Sequence, residues 1–259
     1  MTTKVTILGC GTSGGVPRPG GPGGTGAWGA CDPKNPKNVR RRCSILVEEA
    51  GKTILVDTSP DLQRQLIDAR VTRLDAVLWT HDHADQTHGI DDVRPLAIHQ
   101  GPIDAWATKK TLASLRTRFG YVFAQPDVSV YSTLYRAHEI GEGPFTVAGV
   151  RVVPFEMDHG STVALGFRFG GIAYCNDVVR LDEHAFKALE GVDTLIVDAM
   201  RYRPHPTHAH LDLTLEWIAR VKPRRAVLTN MHVDMDYDEV NRVTPANVEP
   251  AYDGLVLEA

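Results

Sequence analysis

Histidines and carboxylates crowd into one short passage, Trp79-Thr80-His81-Asp82-His83-Ala84-Asp85-Gln86-Thr87-His88-Gly89. Two imidazoles two residues apart in an extended turn, His81 and His83, can point at one ion. A carboxylate two residues further on, Asp85, can reach a neighbouring ion. Imidazole nitrogen and carboxylate oxygen suit zinc, manganese or iron. Such groups are costly to bury without partners, so the passage reads as a divalent-metal site rather than as surface padding. A bound ion lowers the pKa of water from about 16 to about 7 and makes hydroxide available at neutral pH. Two ions about 3.5–4 Å apart can bridge that hydroxide and hold a substrate oxygen. The chemistry on offer is metal-assisted hydrolysis.

The neighbouring elements must present these side chains. The passage follows the apolar run 76–79, so both histidines emerge at the end of a strand. Further strands are predicted at 5–8, 44–47, 53–56, 150–153, 164–169, 172–174, 194–197, 226–228 and 255–257, and helices beginning near Pro60, Asp92, Lys110, Asp182 and Leu211. Strands come in runs early and mix with helices later, as expected of packed sheets with helices outside. Residues 14–36 stand apart. Their glycines and prolines exclude a regular ladder or helix and predict a surface loop near the active face. No convincing boundary divides the chain, and 1–259 is read as one domain, long enough to bury a large core.

Composition excludes some functions. Hydrophobic residues at 42% and charged residues at 23% are ordinary for a globular protein. A net charge of -4 and a pI near 6.2 argue against a protein that coats nucleic acid, because bulk phosphate binding needs a basic surface. The run Arg40-Arg41-Arg42 is either a solvated charge cluster or the source of one arginine for a substrate phosphate. No apolar run approaches the roughly 18 residues of a membrane helix, and no export signal is expected at Met1–Lys4. Cys10, Cys31, Cys43 and Cys175 form no paired pattern and predict reduced thiols. A cytoplasmic protein without a membrane role is the expectation.

On these residues the chain resembles the metallo-β-lactamase-fold hydrolases. The passage is similar to their His-x-His-x-Asp-His signature, and the remaining parts follow in the family's order. Asp57 ends a strand where the family keeps an aspartate that orients the metal loop. His159 fits the third histidine of the first metal, Asp177 the carboxylate that bridges two metals, and His232 the last histidine. The resemblance implies an α/β fold, a four-layer αββα sandwich. It implies a first site of His81, His83, His159 and Asp177, and a second of Asp85, Gln86, Asp177 and His232, with zinc or manganese as the cofactor. Asp198 is either a further orienting carboxylate or the cap of a helix or turn.

Two positions depart from the family pattern. Gln86 stands where the signature has its final histidine, and an amide oxygen is a weak ligand for zinc that suits harder ions. Asn230 stands where a histidine often follows the late strand, so His232 either reaches the second metal through a shifted backbone or contacts substrate. The first site is intact and the second is in doubt.

Within the family the chain resembles the branch typified by phosphoribosyl 1,2-cyclic phosphate phosphodiesterase. The similarity lies in Leu8-Gly9-Cys10-Gly11-Thr12-Ser13-Gly14-Gly15-Val16-Pro17, in Trp28-Gly29-Ala30-Cys31, in Arg42-Cys43-Ser44 and in Gly89-Ile90-Asp91-Asp92-Val93-Arg94. It extends to His208-Ala209-His210-Leu211-Asp212-Leu213-Thr214, where His210 best matches the branch's acid/base histidine. The resemblance implies catalytic roles for Asp85 and His210 and substrate contacts at Thr12, Ser13, His208 and Asn230. With only Cys31 in the early loop, no cysteine-bound structural zinc is expected. The expected function is hydrolysis of a small cyclic phosphate or nucleotide-like ester by metal-activated hydroxide. The alternatives are a tRNA 3′-processing type of nuclease and a nucleotide-binding protein with degraded catalysis. A homodimer is compatible with all of these, and extended nucleic acid is not an expected partner.

Overall fold

The computed structural model describes residues 2–123 and 133–259. The chain first lays down an antiparallel meander of β1 (Lys4–Gly9), β2 (Ser44–Glu49) and β3 (Lys52–Val56). After α1 (Leu62–Asp68) it adds β4 (Ala76–Leu78), parallel to β3. The short α2 (Ala84–Thr87) and α3 (Arg94–Gln100) lead to β5 (Ile103–Ala107), and α4 (Lys109–Phe119) precedes β6 (Tyr135–Glu139). Both of these strands continue the parallel pairing.

The second half repeats this plan. An antiparallel run of β7 (Phe145–Val147), β8 (Val150–His159), β9 (Thr162–Phe169) and β10 (Ile172–Cys175) comes first. Then α5 (Glu183–Leu189), β11 (Thr194–Asp198), α6 (Leu211–Val221), β12 (Arg225–Thr229), α7 (Tyr237–Val243) and β13 (Val248–Pro250) extend it in parallel. Finally β14 (Val256–Glu258) returns to pair with β1. Among the described residues the result is two seven-stranded sheets, ordered β14-β1-β2-β3-β4-β5-β6 and β13-β12-β11-β10-β9-β8-β7. With helices outside both, this is the expected αββα sandwich.

Side-chain alternation explains the layering. A strand turns successive side chains to opposite faces. Ile45, Val47, Ile54, Val56, Ala76 and Leu78 therefore join the core between the sheets, together with Phe155, Phe167 and Phe169. Their neighbours Leu46, Leu55 and Val77 face the other way, onto Leu62, Leu66, Leu112 and Leu115 of α1 and α4. Both faces are buried, which is why these strands read as continuous apolar runs rather than alternating ones.

The structure departs from the sequence reading at the edges. Helices expected from Pro60 and Asp92 begin at Leu62 and Arg94. β6 reads Tyr-Arg-Ala-His-Glu and was not foreseen, because an edge strand keeps one polar face. β7 and β13, three residues each, carry too little pattern to find. β5 was also missed, and the metal passage contains its own single helical turn, α2. β8 runs on to His159 because its ladder with β9 continues to the pair His159–Thr162. The loop 14–36 docks on the segment after β12: Val16, Cys31 and Val233 form a small apolar cluster with Trp28. No described helix is long and apolar enough to cross a membrane.

One glycine locks the metal passage to the first sheet. Thr58 N donates to Gln86 O (2.8 Å) and Gly89 N to Thr58 O (2.9 Å). A Cβ on Gly89 would lie 2.0 Å from Ser59 O and 2.8 Å from Leu62 Cβ. Gly89→Ala is expected to force these segments apart, with an overpacking cost of about 3 kcal/mol. For a chain of this size that lowers the melting temperature by roughly 10 °C. An unchanged thermal melt would show that the two segments separate without penalty.

Candidate metal centre

The polar residues singled out in the sequence gather at one edge of the sandwich, where strands of both sheets end. Asp57 follows β3, His81 and His83 follow β4, His159 closes β8, Asp177 follows β10, Asp198 closes β11 and Asn230 follows β12. Three of these turns need left-handed backbone: φ is 65° at Asp57, 56° at Asp177 and 59° at Asn230. Asp and Asn tolerate that region better than most side chains. It lets the chain leave the strand and swing the carboxylate or amide back across the strand ends.

His81, His83 and His159 offer ligand atoms that all lie within 4.8 Å of one another. His159 Nε2 is 3.3 Å from His83 Nδ1, and His81 Nε2 is 3.8 Å from Asp177 Oδ2. The outer nitrogens of His159 and His81 are committed elsewhere. His159 Nδ1 donates to Thr207 O at 2.7 Å, so its proton is on that side and Nε2 presents a lone pair. Thr80 Oγ1 lies 3.0 Å from Asp57 Oδ2 and 3.0 Å from His81 Nδ1. Its proton goes to the carboxylate, so its oxygen accepts the proton on His81 Nδ1. Asp57 also accepts Thr80 N–H at 2.8 Å. This is the support that metal-binding histidines need to hold their rings in place.

Electrostatics agrees with that geometry. Burial drives His81 well below the ordinary imidazole value, and drives His159 down to about 4. Both rings are therefore neutral ligands at pH 7. Burial, joined by the charge of Asp85, pushes Asp177 up to about 8, a shift that a cation in contact would reverse. Burial raises Asp57 well above the carboxylate range, opposed by the Thr80 hydrogen bonds. His81 Nε2 is buried and has no hydrogen-bond partner. An unpartnered polar atom facing two other imidazoles and a carboxylate fits a divalent ion of the zinc or manganese kind. His83 is exposed, so the cluster opens to solvent on its side.

A second grouping lies beside the first: His159, Asp177 and His208. His208 Nδ1 is 2.9 Å from Asp198 Oδ2 and 3.4 Å from Asp177 Oδ1. Burial would lower this ring, but the hydrogen bond and charge of Asp198 outweigh it, with help from Asp177 and Asp85, and push it up to about 9. Asp198 is itself raised by burial and lowered by His208. It is thus a buried partner of an imidazole, and no helix cap.

The other residues singled out in the sequence have different surroundings. His210 caps α6, and among the described residues its ring has no hydrogen bond, ion pair or ring contact. The histidine aimed into the cluster is His208, because the backbone pairing of His210 with Arg201 turns the chain into α6 before His210 can reach inward. His232 turns away: its Nδ1 sits 3.0 Å from Asp234 Oδ2, and it joins neither ligand grouping. Gln86 meets Asp177 through its nitrogen, Nε2 to Oδ2 at 2.6 Å, which is not the posture of an oxygen ligand. Asp85 joins neither three-residue grouping, although its charge acts on Asp177 and His208. Thr12 is buried and Ser13 exposed on a turn brought beside Asn230 by the bridge Gly11–Met231. Cys31 Sγ meets Val233 O (3.3 Å) and the fully buried Arg40 guanidinium. Sequence reading missed Thr80, Thr207 and Asn176, which act through short-range hydrogen bonds that no spacing rule detects.

A sequence profile of the beta-lactamase superfamily domain matches residues 52–231. A solved structure described as a new diphosphatase from the PhnP family is 33% identical, with a TM-score of 0.91 over 100% of this chain and 98% of that one. An octanoyltransferase of Porphyromonas gingivalis is 31% identical over 97% of this chain and 51% of its own length. A ribonuclease Z of Bradyrhizobium diazoefficiens is 33% identical over 50% of this chain and 44% of its own. The chain thus spans about half the length of the curated relatives it matches.

His81→Ala and His83→Ala are each expected to abolish metal binding, because neither water nor a neighbour replaces the ligand in kind. Thr80→Val should retain the fold and weaken metal affinity about 10–100-fold by freeing the His81 ring. Competition against a chelating dye reads both effects. Wild-type affinity in Thr80→Val would remove Thr80 from the centre.

Proposed function

The chain belongs to the beta-lactamase superfamily, and from that premise we propose that it is a metal-dependent hydrolase of small phosphodiesters or diphosphate esters. The observation that carries this reading is the gathering of His81, His83 and His159 beside Asp177, with the outer nitrogens of His81 and His159 already committed. In this proposal His81, His83, His159 and Asp177 hold the ion, and residues 1–259 act as one catalytic domain. The ion, when bound, supplies Lewis acidity toward a phosphoryl oxygen and lowers the pKa of water.

The remaining steps belong to the side chains. His208 has Nδ1 engaged by Asp198, which leaves Nε2 to face substrate. A protonated ring held this way can pass a proton to a leaving oxygen, the work of a general acid. Arg42, which pairs with Asp61 and whose charge also acts on Asp85, is near enough to the cluster to meet an anionic group. The buried Thr12 Oγ1, without a hydrogen-bond partner, lies on the turn beside Asn230 and suits a phosphate oxygen. In this reading Asp85, whose charge acts on Asp177 and His208, orients the attacking water.

The choice of a small ester rests on charge and on likeness. A net charge of -4 opposes tight binding of an extended nucleic acid. One structure similar over the whole chain, and 33% identical to it, is that of a diphosphatase. The octanoyltransferase name belongs to a protein about half covered by this chain. Among the described residues, acyl transfer finds no ready cysteine nucleophile: all four are buried, and burial raises each thiol.

The purified, metal-loaded protein is expected to cleave small phosphodiesters or diphosphate esters and to leave structured tRNA precursors intact at physiological salt. His208→Ala should lower kcat about 10²–10⁴-fold with metal content unchanged, the usual weight of a general acid. His210→Ala should stay near wild type. Efficient cleavage of a tRNA precursor at its 3′ end would favour a nuclease, and an inactive His210→Ala beside an active His208→Ala would reverse the proton-donor assignment.

A further inference from the structure

We infer that this centre is built for one divalent ion, because side-chain amides of Gln86 and Asn230 occupy the positions around Asp177 from which a second ion would be held. The inference deepens the proposed hydrolase and rests on it.

A carboxylate shared by two ions must turn lone pairs toward both. Here the Asp177 oxygens are already met by N–H groups. Oδ2 accepts from Gln86 Nε2 at 2.6 Å and from Asn176 Nδ2 at 3.0 Å, and Oδ1 accepts from Asn230 Nδ2 at 2.8 Å. An ionised carboxylate has about four acceptor directions. Three are filled by amides, and Oδ2 still lies 3.8 Å from His81 Nε2, across the space of the first ion. Little remains for another.

The amides cannot simply turn over to become ligands. Reversing Gln86 would put its oxygen where Nε2 now sits, against a carboxylate oxygen at 2.6 Å. The nitrogen-inward posture holds even though it leaves Gln86 Oε1 buried without a hydrogen-bond partner. Asn230 is fixed from the far side as well: its Oδ1 lies 4.0 Å from Cys43 Sγ, and that buried thiol also meets Gly11 O at 3.4 Å. Its backbone at φ 59° sends the side chain back over Asp177.

The other route to a second ion runs through His159, Asp177 and His208, the neighbouring ligand grouping. His159 Nε2 already faces His83 and the first grouping. His208 Nδ1 is engaged by Asp198 at 2.9 Å, and Asn230 Nδ2 stands 3.1 Å from it. An ion held through His208 Nδ1, the ring nitrogen beside Asp177, would have to break the His208–Asp198 hydrogen bond and displace Asn230. Amide hydrogens carry partial positive charge, so Gln86 and Asn230 give the buried carboxylate what a second cation would give it, and they cannot leave.

The test is stoichiometry in the full chain. Protein equilibrated with zinc, and separately with manganese, is freed of loose metal and assayed by emission spectrometry. Anomalous diffraction peaks from crystals then locate the ions. Wild type is expected to hold one ion, at His81, His83 and His159, and Gln86→His combined with Asn230→His is expected to hold two. Two ions in wild type, drawn in by Gln86 Oε1 and Asp85, would overturn the inference and leave the hydrolase reading standing. No ion in wild type would overturn the hydrolase reading itself. One ion in a folded double variant would show that the amides are not what limits the site. Should the double variant not fold, the wild-type count and peak positions still decide.

Discussion

A buried carboxylate is the constraint on which this arrangement turns. Asp177 is inside the protein and lies where four chain segments meet: the passage after β4, the turn after β10, the loop between β11 and α6, and the turn after β12. An isolated charge there would be prohibitively costly, and hydrogen bonds to it are worth more than in water. The protein surrounds it with N–H groups from Asn176, Gln86 and Asn230, and with the rings of His81 and His208. Each donor comes from a different part of the chain except Asn176. Satisfying this one side chain therefore draws the two halves of the fold together at their common edge.

The sandwich makes that meeting reproducible. Strands buried on both faces cannot slip by a residue without reversing every side chain, so their ends are fixed points. The left-handed turns at Asp57, Asp177 and Asn230 convert fixed strand ends into fixed side-chain directions. A second tier then sets the rings: Asp57 through Thr80 for His81, Thr207 O for His159, and Asp198 for His208. Strain of about 1–3 kcal/mol at such turns is tolerated because the surrounding sheets over-determine the backbone.

How far this was legible in the sequence follows from the range of each interaction. His81, His83 and their strand were readable because ligand spacing and apolar periodicity are local. His159 and Asp177 were readable only through the order of parts along a family pattern, since nothing near Met157 or Cys175 announces a ligand. The choice between His208 and His210 was not readable. Both sit before a helix, and which one faces inward depends on the pairing of His210 with Arg201, a contact across the loop. His232 misled for a related reason: a histidine near an expected ligand position carries no signal that it will turn to Asp234. Edge strands such as β6 were lost because half of their surface is polar, and β5 because Asp104 breaks its apolar run, whereas a central strand such as β4 announced itself by being apolar throughout.

Charge links the architecture to the chemistry. Burial holds His159 and His81 neutral and pulls Asp177 toward its protonated form. In the proposed centre a divalent ion would keep Asp177 ionised and leave positive charge in a site open on the His83 side. His208 is balanced by Asp198, and the nearby Arg42 by Asp61. In the proposed enzyme an overall acidic protein would thereby confine positive charge to the ion's own site. Such a site attracts a compact anion such as a phosphoester, while the surrounding surface repels a long polyanion. Selectivity for size in the proposed reaction thus needs no lid or arm: it follows from where the positive charge is confined.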